Sequence, residues 1–181
     1  MPVAEILRRF IAAGLGSLPG GGAEILVDRV RKIIAPLKAT TAEWLGVMRE
    51  AHRQGLKTSA TMMYGHVETL ADRIEQLDRL RSLQDETHGF TGFIPFAFEP
   101  EGARPLLQHL PHAPAYEELR NLAVSRIYLD NFDHIKSFWI MNTVPVTQAA
   151  LWYGADDADG LVHEYEITYN EGEFGNKTQA L

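Results

Sequence analysis

Stretches typical of β-strands alternate with stretches typical of α-helices along this chain, and the connections between them are short. The predicted strands read LGSL, LKTSATMMY, GFTGFIPFAFE and HIKSFWIM. Strands and helices that alternate in this way form parallel sheets through crossover helices. The pattern therefore predicts an α/β fold, and about four strands are too few to close a barrel of about eight.

Length and composition narrow the class of protein. With 181 residues, the chain can form one domain with its own core. Its net charge of −7 argues against nucleic-acid and anionic-membrane partners. No apolar run approaches the roughly 20 residues that span a bilayer, and we recognise no signal peptide, so we expect a cytoplasmic protein. Cysteine is absent, which excludes disulfides and thiolate metal ligands within the chain.

Three glycines, Gly20, Gly21 and Gly22, follow the first predicted strand and precede Glu24. A flexible linker would be longer and richer in serine, and neither phosphate-binding glycine pattern is present. A tight turn with positive φ would explain one or two of the glycines. Three glycines followed by an acid favour a turn whose backbone comes close to a ligand.

A second polar group, Gly65, His66 and Glu68, follows the next predicted strand. A loop histidine that forms hydrogen bonds is common in proteins, and an acid is stabilised in the first turn of a helix. The spacing of these residues alone therefore does little to indicate a site.

Several motifs resemble the radical S-adenosylmethionine enzymes of the futalosine route to menaquinone, over nearly the whole chain: SLPGGGAEIL, EWLGVMREAHRQGLKTSATMMYGHVET, LRSLQDETHGFTGFIPFAF and LAVSRIYLDN. FIPFAF, SFWIM and YGADDADGLVHEYEI are closer to the aminofutalosine synthases. The cyclic dehypoxanthine futalosine synthases typically read FIPWPF, ASWVTQG and FGANDFGSTMxEENV instead. A deazaflavin-cofactor branch shares YGHVET but usually reads PGTAAEIL at the glycines. The chain therefore resembles the aminofutalosine synthase branch.

The resemblance implies the C-terminal part of a TIM-like partial (β/α) barrel that uses S-adenosylmethionine and a 4Fe-4S cluster. Residues 1–110 would supply barrel strands four to six with their helices, and residues 111–181 an extension of helix, strand and tail, all in one domain. The family's reaction adds the 5′-deoxyadenosyl radical to 3-[(1-carboxyvinyl)oxy]benzoate and gives 6-amino-6-deoxyfutalosine. In this family the cofactor carries out the difficult chemistry, while the protein positions groups and excludes water.

One departure from the family is central, because a Cys-x-x-x-Cys-x-x-Cys loop binds its cluster and this chain has no cysteine. We therefore expect a fragment or truncated gene product that lacks the cluster-binding half and is inactive alone. Two alternatives stay open. One is a cyclic dehypoxanthine futalosine synthase of the same pathway, and the other is a noncatalytic half-barrel that binds a ligand or forms oligomers through its exposed strand edges.

The resemblance also implies S-adenosylmethionine contacts. Glu24, behind the glycines, corresponds to a fourth-strand position that binds the ribose or methionine part of the cofactor. A loose fifth-strand pattern beside the adenine, Gly-x-Ile-x-Gly-x-x-Glu, has Thr in place of its first glycine here. The residues that match this pattern are Thr61, Met63, Gly65 and Glu68.

Further contacts follow from the same resemblance. Ile94 and Pro95 of the sixth strand would lie at the adenine edge, and we expect His66 and Trp139 to contact the substrate. A core position is about as compatible with the Trp139 side chain.

Three other patterns have ordinary explanations. ADDADGLVHEYE resembles a calcium loop, but Ala155 stands where a first oxygen ligand is needed, so we interpret the segment as a solvated acidic loop. The histidines of LLQHLPHAP lie in a proline-containing loop whose pattern is too exposed for a metal site. Arg81, Asp85 and Glu86 are expected to form ion pairs at a helix end.

Overall fold

The computed structural model describes residues 1–101 and 103–160. The helices are α1 (Val3–Ala12), α2 (Asp28–Ile34), α3 (Thr41–Arg53), α4 (Leu70–Thr87), α5 (Ala115–Tyr128), α6 (Trp139–Asn142) and α7 (Val144–Ala150), with a short 3-10 helix at Pro105–Leu107. The strands are β1 (Ser17–Leu18), β2 (Lys57–Tyr64), β3 (Phe90–Ala97), β4 (His134–Ser137) and β5 (Asp157–Ala158). The calcium-like motif and the predicted tail extend beyond residue 160, outside the described residues.

All five strands form one parallel sheet in the order β1-β2-β3-β4-β5. Neighbours in the sheet are thus neighbours in the chain, and helices connect the successive strands, as in a (β/α) barrel. The longest pairing joins β2 to β3, from Thr58 beside Phe90 to Tyr64 beside Ala97. The fold confirms the predicted α/β class and is consistent with a partial TIM-like barrel.

The two faces of the sheet have different environments. On β2, Ala60, Met62 and Tyr64 are buried and join a core with apolar residues of the helices. Thr61 and Met63 point to the opposite, half-buried face, because side chains alternate along a strand. In a barrel this second face is the interior. The core therefore lies between the sheet and its helices, and the other face is available for a site.

The structure corrects the prediction of four strands. β5 comes from the acidic segment that the sequence analysis interpreted as a solvated loop, and it pairs with β4. The Lys136 amine lies 3.3 Å from carboxylate oxygens of both Asp157 and Asp159. Burial lowers the pKa of Lys136, but these two carboxylates outweigh it and raise the pKa above its usual value. Ion pairs between β4 and the β5 segment thus accompany a strand that the acidic composition of the segment did not indicate.

The predicted strand HIKSFWIM is also partly wrong. β4 ends at Ser137, and residues 139–142 form α6, in which the amides of Met141 and Asn142 donate to the Phe138 carbonyl. A short run of large apolar residues is compatible with either a buried strand or a buried helix, so periodicity could not separate them.

Helix starts were easier to predict. Thr40 and Glu43 form the capping box that the sequence indicated for α3. Thr69 and Asp72 form a second capping box at α4. Within the part of the chain that the structure describes, no helix has the length and hydropathy needed to cross a membrane.

Candidate functional site

A cavity of about 820 Å³ opens at the carboxyl ends of β2 and β3, on the half-buried face of the sheet. Ligands of parallel α/β proteins bind at this end of the strands. Most of the wall is apolar, with three phenylalanines and two methionines: Phe96, Phe98, Phe138, Met63 and Met141. Its ionisable side chains are Glu24, Lys38, Glu99 and Arg104. The volume is in the range of about 300–1,000 Å³ that is typical of small-molecule pockets.

The glycine turn lies beside this cavity, and two of its glycines have a structural reason. A Cβ on Gly20 would lie 2.1 Å from the Ser59 carbonyl oxygen, so the turn can approach β2 only without a side chain. The Gly20 amide donates to Ser59 Oγ at 2.9 Å, and the Gly20 carbonyl accepts from Thr61 Oγ1 at 2.9 Å. Gly22 has a φ of +79°, which favours glycine. A Cβ on Gly21 would meet open space.

The buried side chain of Arg31 stabilises the backbone of this turn. Its guanidinium donates to the carbonyls of Gly22, Ala23, Ile25 and Ala39. Burial lowers the pKa of Arg31, and the charge of Glu24 partly offsets this shift. Arg31, which no sequence pattern marks as functional, thus positions the backbone on either side of Glu24.

Glu24 presents its carboxylate to the cavity. Its backbone has a φ of +47°, which is uncommon for a residue with a side chain, and its carbonyl accepts from the Met63 amide at 2.7 Å. The carboxylate forms an ion pair with Lys38, and the side chain is 12% exposed. Glu24 and Met63, both predicted contacts of S-adenosylmethionine, are therefore adjacent and both line the cavity.

Glu68 has a different environment at the end of β2. Its carboxylate accepts from the amides of Gly65 and His66 at 2.7 and 2.8 Å and from Arg73 Nε at 2.9 Å. Only 1% of its side chain is exposed. Burial raises the pKa of Glu68, but hydrogen bonding and charge from His66, the Gly65 amide and Arg73 outweigh it and hold the pKa at about 2. The chain itself occupies the acceptor sites of this carboxylate.

The His66 side chain is also fully buried. Its Nε2 lies 3.0 Å from the Met63 carbonyl oxygen, and its ring makes an edge contact with Phe98, with centroids 5.8 Å apart. His66 thus contacts two residues of the cavity wall but does not itself line the wall. Its predicted contact with substrate stays a prediction.

The other predicted contacts lie near the cavity or behind it. Ile94 lies beside Thr61 in the β2–β3 register, on the half-buried face, whereas Pro95 is on the buried face beside Met62. Trp139 is 1% exposed, and its Nε1 donates to the Asp159 carbonyl at 3.1 Å. The predicted contacts outside the set that lines the cavity are Gly20, Gly21, Gly22, Thr61, Gly65, His66, Glu68, Ile94, Pro95 and Trp139. Their ligand contacts stay predictions.

Sequence reasoning missed most of the wall. Phe96 lies on β3 and Phe138 just before α6, and their rings make an edge contact with centroids 6.3 Å apart. Motifs containing both residues carried the resemblance, and this was the available signal. Lys38 and Arg104 lie in connecting segments and had no such signal.

A charged group adjoins the cavity at Glu99. Glu99, Glu101 and His112 can bring one ligand atom each within 4.8 Å of one another. His112 Nε2 lies 2.8 Å from Glu101 Oε1, and Nδ1 lies 3.6 Å from Glu99 Oε2. The sequence pattern around His112 predicts a loop too exposed for a metal site. Ion pairs between these groups account for the arrangement without a cation.

The charged pattern at the end of α4 forms the expected ion pairs in part, since Arg81 and Glu86 form ion pairs and Asp85 forms a hydrogen bond instead. Arg81 pairs with the Asp130 carboxylate and donates to the Tyr128 carbonyl. Asp85 Oδ1 accepts from Asn131 Nδ2 at 2.8 Å. These contacts tie the end of α4 to the segment that follows α5.

The residues present fit one of the two groups that the resemblance implies. An ammonium or a ribose hydroxyl of S-adenosylmethionine could bind the Glu24 carboxylate, and its adenine could lie beside Met63, whose amide donates to the Glu24 carbonyl. A 4Fe-4S cluster needs cysteine thiolates, and the chain has none. This chain therefore does not hold the cluster with its own residues.

A parallel sheet in chain order, with a ligand-sized cavity at the carboxyl ends of its strands, is the arrangement expected of part of a TIM-like (β/α) barrel. The family model for the CofH/MqnC C-terminal region matches residues 87–177, just over half of the chain. The chain belongs to this family.

Curated relatives agree with this family. The aminodeoxyfutalosine synthase of Thermus thermophilus is 47% identical over 175 residues, which cover 95% of this chain and 47% of the relative. The cyclic dehypoxanthine futalosine synthase of Streptomyces coelicolor is 42% identical over 94% of this chain and 42% of its own length. A 5-amino-6-(D-ribitylamino)uracil–L-tyrosine 4-hydroxyphenyl transferase of Methanoculleus marisnigri is 44% identical over 93% and 46%. The chain thus spans about half the length of these relatives.

Proposed function

We propose that this chain supplies the binding part of an aminodeoxyfutalosine synthase, a radical S-adenosylmethionine enzyme of menaquinone biosynthesis. The reaction would cleave S-adenosylmethionine reductively, release methionine and add the adenosyl group to the enolpyruvyl benzoate, and rearrangement with loss of carboxylate would give 6-amino-6-deoxyfutalosine. The family and the 47% identity to a protein of that name support the proposal.

The observation that carries the choice of reaction is the position of the residues in which the two menaquinone branches differ. Where the cyclic synthases typically read FIPWPF, this chain has Phe96 and Ala97 in place of Trp and Pro, and both residues line the cavity. The SFWIM stretch, the second difference, contributes Phe138 and Met141 to the same wall. The differences between the branches thus shape the space in which a substrate would bind.

The chain's own residues would bind the cofactor, orient the reactants and exclude water. S-adenosylmethionine, when bound, supplies the adenosyl group that is transferred. The Glu24 carboxylate would bind an ammonium or ribose hydroxyl, and a ligand ammonium would compete with Lys38 for it. Phe96, Phe98 and Phe138 would pack against the aromatic ring and displace water from the reacting groups. A cytoplasmic location and self-association through sheet edges remain predictions from the sequence.

The test is to join this chain to the part of the Thermus thermophilus relative that it does not match. The joined protein would be purified and reconstituted with iron and sulfide without oxygen, then supplied with S-adenosylmethionine and the enolpyruvyl benzoate. Mass spectrometry should detect 6-amino-6-deoxyfutalosine. The 181-residue chain alone should give no product, because it offers no thiolate for a cluster.

Visible absorption provides the control, since a cluster band shows that the joined protein has assembled. Conversion of dehypoxanthine futalosine to a cyclised product by an assembled protein, with release of 5′-deoxyadenosine, would contradict the proposal. Adenosyl transfer by the 181-residue chain alone would contradict the part that concerns the cluster.

A further inference from the structure

The charges that line the cavity are unevenly compensated. Glu24 forms an ion pair with Lys38, and the Glu99 carboxylate lies 3.6 Å from His112 Nδ1. Arg104 differs, since its Nη1 donates to the Ile33 backbone carbonyl at 3.0 Å. Among residues 1–101 and 103–160, no acidic side chain forms an ion pair with Arg104. Its cationic charge is therefore the one on this wall that the described part of the chain leaves without an anionic partner.

The geometry of a guanidinium makes this charge suited to one class of ligand. Its five N–H donors lie in one plane and match the two oxygens of a carboxylate, and the Ile33 carbonyl accepts from one of its nitrogens. The side chain is exposed at the cavity, so it can meet a ligand without first being released from a buried site. An anion with two oxygens in a plane would complete its hydrogen bonding.

The rest of the wall indicates what the anion is attached to. Phe96, Phe98 and Phe138 line the cavity together with Met63 and Met141. Aromatic rings pack favourably against phenylalanine faces and edges, and methionine sulfur contacts ring edges. A flat aromatic ring is therefore the body that this wall accommodates best.

We propose that Arg104 binds the carboxylate of an aromatic acid whose ring lies among the phenylalanine and methionine side chains of the cavity. This assignment rests on the proposed function and deepens it, because it gives the benzoate carboxylate of the substrate a binding residue. Arg104 then selects for acids over neutral aromatic compounds of the same shape.

The experiment uses the 181-residue chain labelled with carbon-13 at its methionine methyl groups. The chain has five methionines, of which Met63 and Met141 line the cavity, while Met48 is buried among the helices and the sheet. The two probes are 3-methoxybenzoate and its neutral analogue 3-methoxybenzamide. Addition of 3-methoxybenzoate should shift the NMR signals of Met63 and Met141 but not that of Met48. This acid should bind about tenfold or more tightly than 3-methoxybenzamide.

The variants separate Arg104 from the other cations. Arg104→Gln should weaken benzoate binding about tenfold and leave amide binding unchanged, and Arg104→Lys should restore part of the loss. Arg120→Gln is the matched control, because Arg120 lies on α5, pairs with Glu117 and does not line the cavity. It should bind both probes like the unaltered chain. Thermal unfolding checks that each variant is folded.

Three outcomes would overturn the assignment: equal affinity of the unaltered chain for acid and amide, unchanged benzoate affinity in Arg104→Gln, or a loss in Lys38→Gln but not in Arg104→Gln. Two further results distinguish a failure of the proposed function from a failure of the Arg104 assignment. If the joined protein makes the cyclised product while benzoate binding depends on Arg104, the reaction is wrong and the carboxylate site stands. If it makes 6-amino-6-deoxyfutalosine while Arg104→Gln binds benzoate normally, the reaction stands and the Arg104 assignment is wrong.

Discussion

The turns that follow β1 and β2 look alike in the sequence, since each contains glycine and ends in a glutamate, but they place their carboxylates in opposite environments. Glu24 lies in the cavity, where its carboxylate forms an ion pair with the exposed side chain of Lys38. Glu68 is 1% exposed and accepts hydrogen bonds from two backbone amides and from Arg73. A ligand could displace Lys38 from Glu24. Displacing the hydrogen-bond donors of Glu68 would instead disrupt the turn that follows β2.

A carboxylate at a strand end can bind a ligand only if the fold leaves its oxygens accessible. Hydrogen bonds from the buried Arg31 to backbone carbonyls hold the first turn, and the Glu24 side chain takes no part in them. In the second turn the Glu68 side chain itself holds the backbone. The first glutamate is thus suited to binding, and the second to stability.

Gly20→Ala should have the largest effect on the first turn. The new Cβ would lie 2.1 Å from the Ser59 carbonyl oxygen, so backbone must move, and we expect a loss of about 3 kcal/mol in the free energy of unfolding. Gly21→Ala is the control, because its Cβ meets open space, and it should change stability by less than about 0.5 kcal/mol. Urea unfolding measures both. Equal effects of the two substitutions would show that close approach to β2 does not explain Gly20.

Glu68→Gln should have the next largest effect. Gln keeps one acceptor oxygen but loses the charge that the amides, His66 and Arg73 share, so we expect a loss of about 2 kcal/mol in the free energy of unfolding at pH 7. Glu75→Gln is a matched control, because Glu75 forms an exposed ion pair with Arg79. This substitution should lower the free energy of unfolding by less than about 1 kcal/mol.

The effect of Glu68→Gln should depend on pH in a defined direction. The pKa of Glu68 is lowered to about 2 in the folded chain, so its carboxylate stabilises the fold fully above its unfolded pKa of about 4.3. This contribution is lost as the pH falls toward 2. Unfolding curves of the unaltered chain and the variant should therefore differ most near pH 7 and converge between about pH 4 and pH 2. A difference that grew on acidification would contradict the role given to Glu68.

The sequence predicted the parts of the fold that local patterns specify. β2, β3, α3 and α4 follow from apolar periodicity and, for α3, from the Thr40–Glu43 capping box. The end of β4 and the existence of β5 depend on contacts between distant residues, such as Lys136 with Asp157. No local pattern reports such contacts.

Less of the candidate site than of the fold was predictable, because the site too depends on contacts between distant residues. The resemblance gave Glu24, Met63 and Glu68 the same role, whereas in the structure Glu24 and Met63 line the cavity and the Glu68 side chain is buried beside it, since accessibility is a property of the fold. The ligand contact of Glu68 stays a prediction. Phe138 could not be placed on the wall while its segment was interpreted as strand. The part of the site formed by Lys38 and Arg104 depends on how connecting segments fold over the sheet.

The most direct test of this account measures S-adenosylmethionine affinity and thermal stability together in the joined protein and its variants. We predict that Glu24→Gln weakens the affinity about tenfold, as expected for one charge-assisted hydrogen bond, with little change in the unfolding temperature. Glu68→Gln should do the reverse, lowering the unfolding temperature while the affinity of the folded protein stays within about twofold. An unchanged dissociation constant in Glu24→Gln by titration calorimetry would contradict the account and remove Glu24 from the site.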